Sequence, residues 1–254
     1  MLKIQHVMAA QPAPLTLSTL ASAGERMEVI FTEIATSSTS IAPGALDASS
    51  LPVVARFIAI EDLNVSPDGT AWVIKGRTDQ PTTNDSILLL GAGTSGTMFL
   101  QDGQPFLGGQ PGEQYDFFDT DSPVSWDDAG NIGFSARAKN GVSAVKEKLV
   151  FYDAVNQTHT VILTESTPAL GLLDIPTNVR GDELIGNSIG SVFLRNDGKL
   201  GFINTPIQNC SSFRYPAFFI DDTGFMQSGV HMIGGEVWDS FSLSGAGGTT
   251  DGVH

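Results

Sequence analysis

Only one cysteine stands in the chain, Cys210, so no internal disulfide can form and cysteine usage names no redox compartment. Cys210 reads as a small buried hydrophobe. A nucleophile would want a histidine beside it, and His6, His159, His231 and His254 carry no local signature that places one there. Positive charge is scarce, with 13 Lys and Arg against 28 Asp and Glu, a net charge of −15. Without clustered Lys and Arg nothing displaces counterions from a phosphate backbone or grips an anionic bilayer, so neither nucleic acid nor an anionic membrane surface is an expected partner. Long apolar runs are missing too, and none approaches the roughly 20 residues of a spanning helix. At the N-terminus Lys3 and Ala21-Ser22-Ala23 suggest an export signal, but Gln11, Pro12 and Pro14 break its apolar core.

Breakers are abundant instead: 28 glycines and 13 prolines. Long amphipathic helices do not fit between them, whereas short strands joined by turns do. One pattern recurs, a polar turn closing on glycine and then a short apolar strand. It reads SPDGTAWVIKGR from Ser66, WDDAGNIGFSAR from Trp126 and LRNDGKLGFIN from Leu194, and TTDGVH from Thr249 starts a fourth copy. The turn glycines Gly69, Gly130, Gly198 and Gly252 are 61, 68 and 54 residues apart. A loose period of about 60 residues marks an array of similar units. The acidic residues before these glycines, Asp68, Asp127, Asp128 and Asp197, are turn-formers first, because Asp folds its side chain onto the bend and glycine supplies the positive φ.

Each unit divides into four strand candidates: 57–65, 70–75, 87–90 and 97–100; then 122–126, 131–137, 149–153 and 159–163; then 189–194, 199–203, 217–220 and 229–233. A shift of 132 lays Ile30-Phe31-Thr32-Glu33 on Ile162-Leu163-Thr164-Glu165, so the N-terminal region supplies two strands of a preceding unit. At the other end 237–243 reads as a first strand. The expected organisation is a tail at 1–14 and an all-β repeat domain at 15–254. Its parts are a partial blade at 15–44, blades near 55–110, 115–171 and 186–235, and a partial blade at 236–254. Gly/Pro-rich connectors at 41–44, 108–112 and 168–171 join them. Four-stranded units of this kind suit a β-propeller, with a two-sheet sandwich as the rival. The unpaired ends suggest a fragment of a larger ring.

The strings DDAGNIGF and NDGKLGF, with TEIATSSTSIAPG and ILTESTPALG, resemble bacterial tandem-repeat proteins whose hallmark is Asn-x-x-Gly-x-x-Ala-Phe. Gly133 and Gly201 stand where that family has Ala, and Trp72-Val73 replaces Ala-Phe in the first unit. The resemblance implies an exported or surface-anchored protein with propeller-like repeats, and it brings no catalytic residues. SPDGTAWVI also resembles the propeller repeats of TolB-type proteins, which implies an interaction platform.

No residue is assigned a catalytic, cofactor or metal role. Ser66-Pro67-Asp68-Gly69-Thr70-Ala71-Trp72 approaches the Asp-box of sialidases, itself a structural turn, and Arg56, Arg77, Arg137 and Arg195 show no pattern that would clamp a carboxylate. Tyr115 to Asp121 holds three carboxylates, and Asp119 and Asp121 could open a calcium loop, but Ser122-Pro123-Val124 breaks the pattern, which favours a solvated loop. Gly91 to Gly96 superficially resembles a dinucleotide turn and reads as a hairpin loop. Asn64, Asn84, Asn156 and Asn209 are glycosylation sequons, relevant in a glycosylating host. The expected function is a non-catalytic extracellular or surface scaffold for a protein or carbohydrate ligand. The alternative is a propeller hydrolase acting on glycans or other polar substrates.

Overall fold

The computed structural model describes residues 40–118, 124–139, 146–172, 183–205, 207–208, 216–229, 232–233 and 236–237. Within them the protein is all-β. The first sheet is an antiparallel meander of β1 (Phe57–Val65), β2 (Ala71–Thr78), β3 (Ser86–Ala92) and β4 (Ser95–Gln101). The second contains β5 (Gln114–Phe117), β6 (Ser125–Trp126), β7 (Ile132–Lys139), β8 (Lys146–Asp153) and β9 (Thr158–Thr164). The third is β10 (Ile189–Leu194), β11 (Leu200–Asn204), β12 (Ala217–Ile220) and β13 (Thr223–Gln227). A short hairpin of β14 (Met232–Ile233) and β15 (Glu236–Val237) follows. The expected N-terminal strand pair and nearly all of the expected strand at 237–243 lie outside the described residues.

Two strands differ from expectation. The first strand of the second unit is divided between β5 and β6, which both pair with β7. Gln-Tyr-Asp-Phe looks like loop in sequence, yet Asp116 is neutralised by Lys139 of the neighbouring strand at 2.8 Å. The last strand of the third unit lies at 223–227 rather than 229–233. Asp221-Asp222 makes a two-residue turn, with Asp221 at φ 54°, and the strand starts immediately after it.

The first and second sheets bury apolar residues on both faces, and the third buries one face against the second. On β2 and β3, Val73 and Leu88 face the second sheet, while Trp72, Ile74, Ile87 and Leu89 face the segment carrying Ala42, Ala45 and Ala55. On β7 and β8, Ile132, Phe134 and Val150 face the first sheet, and Leu149 faces the third. Val65 pairs with Trp72, Trp126 with Ile132 and Leu194 with Leu200, because Thr70 adds a residue to the first turn, so Ile74, Phe134 and Phe202 are equivalent positions. Each of them faces what precedes it in the chain, Ile74 the segment carrying Ala42, Ala45 and Ala55, Phe134 the first sheet and Phe202 the second, so the sheets stack in one sense. The described sheets form a face-packed stack in which the same face of each unit is turned to the one before it, and they do not close into a ring. Gly133, where the resembled repeats have Ala, belongs to the interface of the second and third sheets: a Cβ there would come 2.1 Å from Leu200 Cδ2.

The connectors also repeat. Gly44, Gly108 and Gly171, at φ 79°, 75° and 76°, each lie against the outer strand of the sheet that follows. Gly44 meets Met98 on β4, Gly108 meets the carbonyl of His159 on β9, and Gly171 meets Thr223 and Gly224 on β13. Two residues before each glycine, an N–H donates to the returning chain: Ala42 to Ala55 O, Phe106 to Glu113 O, and Ala169 to Glu183 O, all at 2.8–2.9 Å. The connector thus lies as a clasp against the outer strand of the next sheet, and at the third sheet Gly224 N donates to Leu170 O at 2.7 Å, which leaves less of that edge unpaired.

Candidate functional site

The three described glycine turns, at Gly69, Gly130 and Gly198, lie at one end of the stack. There the turn at 66–70 of the first sheet and that at 126–130 of the second border an open cleft of about 420 Å³, lined by Ser66, Asp68, Thr70, Trp126, Asp127 and Asp128 among others. The lining is acidic, so the cleft has the chemistry to attract cationic or hydroxyl-rich groups. Its carboxylates are already occupied by the chain itself. Asp68 accepts from Thr70 N at 3.0 Å and from the hydroxyls of Ser66 and Thr70 at 2.7–2.9 Å. These bonds hold its pKa below the usual carboxylate value, the Thr70 backbone bond contributing most. Asp127 is buried and accepts from Ala129 N and Asn131 N at 2.9 Å and from Asn131 Nδ2 at 2.8 Å. Asp128 and Asn196 exchange bonds between the second and third sheets, with Asp128 N donating to Asn196 Oδ1 at 2.9 Å and Asn196 Nδ2 donating to Asp128 Oδ2. Asp197 accepts from Lys199 N at 3.3 Å and pairs with Arg195 at 3.0 Å. The turn-former reading of these acids agrees with the bonds they make.

Other sequence candidates are scattered. Arg195 sits at the turn end, while Arg56, Arg77 and Arg137 lie toward the opposite end of their sheets, Arg77 bound to Asp85. The four arginines do not gather around one point. Gly91 and Gly96 are the floor beneath the Trp72 ring, whose Nε1 donates to Gly93 O at 2.9 Å, in the hairpin joining β3 and β4. Asn84 is buried, with its amide donating to Asp102 O at 3.4 Å, so this sequon offers no accessible acceptor. Asn156 is exposed on the turn between β8 and β9. Asp119, Asp121, Asn209, Cys210, His6, His231 and His254 lie outside the described residues. Among the described residues no group of three or more His, Cys, Asp or Glu is placed to hold a metal ion, and no helix is long and apolar enough to cross a membrane.

Sequence reasoning missed a polar layer at the end away from the glycine turns. Gln101 is fully buried there; its Nε2 donates to Leu46 O at 2.8 Å and Asn84 O at 2.7 Å, while its Oε1 accepts from Leu46 N at 2.8 Å. Asn204 plays a similar part in the third sheet, bonding to Gly186 and Ser188. Asp102 follows Gln101 in the same layer. Asp102-Gly103 is the same dipeptide as the turn Asp68-Gly69, so nothing local in the sequence marks its carboxyl as turned inward. Compared with known proteins, the chain matches no family model, no curated protein and no solved structure.

Proposed function

We propose that the chain is a non-catalytic scaffold of the cell exterior or cell surface, built as a propeller-like array of four-stranded units, that offers its turn end to a protein or carbohydrate partner. The observation carrying this reading is the occupation of the cleft carboxylates: Asp68 and Asp127 are saturated by backbone N–H groups and neighbouring side chains, and such acids are poorly placed to exchange protons with a substrate. Loops held on rigid strand ends are a common way of presenting recognition surfaces. The resemblance to exported tandem-repeat proteins supports the location, and the net charge of −15 suits a soluble, exposed protein.

The test pairs a binding measurement with an activity screen on the whole chain. Titration calorimetry with a lysine-rich peptide and with neutral oligosaccharides reads the partner class. Ala129→Arg places a cation in the cleft without removing a turn bond, and it should weaken binding at least tenfold. A panel of chromogenic glycosides and esters should show no turnover. Turnover that disappears in Asp127→Asn would replace this reading with a hydrolase.

A further inference from the structure

The seam between the first and second sheets encloses unsatisfied polar atoms of three titratable side chains, the Tyr115 hydroxyl, which stays neutral across the physiological range, and groups on Asp102 and His159. Asp102 is 0% exposed, and neither carboxyl oxygen has a hydrogen-bond partner. Nε2 of His159 is also enclosed without one. The backbone holds Asp102 in place: its N–H donates to Ser86 O at 3.0 Å, and the next residue, Gly103, donates to Tyr115 O of β5 at 2.9 Å. Phe118 N reaches back to Ser86 Oγ at 3.4 Å, so the carboxyl is closed in from both sheets.

The charged groups facing Asp102 come from both sides. The first sheet brings Asp85, bound to Arg77, with Glu61 acting on that same arginine. The second brings Asp116, bound to Lys139 at 2.8 Å. Both cations are already engaged, so an ionised Asp102 would be a third negative charge with no counterion of its own. Half-buried His159 is set among rings: it stacks on Phe99 of the first sheet at 5.4 Å, tilts against Tyr152 at 4.8 Å, and has Phe134 edge-on at 6.4 Å.

We propose that this seam is a proton-controlled joint, closed while Asp102 and His159 are both uncharged and loosened when Asp102 ionises. Burial, reinforced by Asp85, raises the Asp102 carboxyl to about 8, and burial lowers His159 to about 4. Because the folded value for Asp102 is raised, its stabilisation is complete below pH 3.8 and is lost as the pH climbs to about 8. For His159 the folded value is lowered from 6.5, so its stabilisation is complete above that pH and is lost on descending to about 4. Between roughly pH 4 and 6.5 the two slopes oppose and cancel. From 6.5 to 8 Asp102 acts alone, and opening rises tenfold per pH unit, about 30-fold in all.

Amide hydrogen exchange on the full chain from pH 4 to 9, corrected for intrinsic rates, tests this at Gly103, Tyr115 and Phe118. The amides of Val73 and Ile74, inside the first sheet, serve as reference. The seam amides should be level to about pH 6.5 and then accelerate about 30-fold by pH 8, with the reference amides unchanged. Asp102→Asn should abolish the alkaline rise and leave a slope only on the acid side. His159→Phe should extend the Asp102 slope down to about pH 4. Should either variant fail to fold, carbon NMR of the wild-type carboxyls decides the matter, since one carboxyl must remain neutral at pH 6.5. A seam whose exchange is level from 6.5 to 8, a rise that persists in Asp102→Asn, or a set of carboxyls all ionised by pH 6 would overturn the proposal.

Discussion

Asp127 and Asp102 show how the same residue type is given opposite tasks by its surroundings. The Asp127 carboxylate accepts two backbone N–H groups and the Asn131 amide, so removing it leaves three donors without their acceptor. Asp127→Ala should cost about 1–3 kcal/mol in chemical denaturation, while Asp127→Asn, which retains one acceptor oxygen, should cost less. A variant equal to the wild type would mean that the turn is solvated rather than held by this side chain. Gly133 is limited by space instead of bonding. Gly133→Ala drives a methyl group into Leu200 and should destabilise by about 1–3 kcal/mol, and trimming Leu200 to Val in the same chain should recover part of that loss. If the double variant is no better than the single one, the notch does not receive Leu200.

At the level of elements, the connectors matter as much as the strands. Gly108 needs its positive φ and also lies where a Cβ would sit 2.5 Å from the His159 carbonyl, whereas Gly198 has nothing within 4 Å. Gly198→Ala should therefore show the backbone term alone, about 1–2 kcal/mol, and Gly108→Ala should exceed it because the clasp on β9 must also shift. Comparable losses at both positions in thermal melts would remove the clasp from the account. Strands next to Asp-Gly and Ala-Gly turns were legible in the sequence, since turn chemistry and apolar runs lie side by side in the chain. β5 was not, because its partner Lys139 is 23 residues from Asp116 and the acidic string suggests solvent. The clasps escaped for the same reason: Gly44 and Met98, or Gly171 and Thr223, meet only after the sheet between them has folded. The inward carboxyl of Asp102 could not be told from a turn aspartate by any local signal.

Across the whole molecule, an excess of 15 negative charges works against a stack of sheets joined mainly by apolar faces. Much of that charge is on exposed turns, where salt screens it within about 10 Å at 0.1 M. Raising sodium chloride from 10 to 200 mM should thus raise the melting temperature by a few degrees, a shift on the scale of about 1 kcal/mol. A melting temperature that falls with salt would indicate that the ion pairs, such as Lys139–Asp116 and the buried Lys148–Glu113, outweigh the repulsion. The repeat itself was readable as a period, but the order of faces was not. Thr70 lengthens the first turn by one residue, so a count from the glycines misaligns the faces, and only the strand pairing shows that Ile74, Phe134 and Phe202 all face the preceding unit.

That arrangement of faces is the claim on which the seam, the clasps and the placement of Gly133 depend. Nuclear Overhauser contacts in the isotope-labelled protein read it directly. The account predicts contacts from the Phe99 ring to the rings of Phe134 and Tyr152, together with contacts from the Leu200 methyls to the Gly133 α-protons. A spectrum in which Phe99 touches neither ring, with Leu200 distant from Gly133, would contradict it.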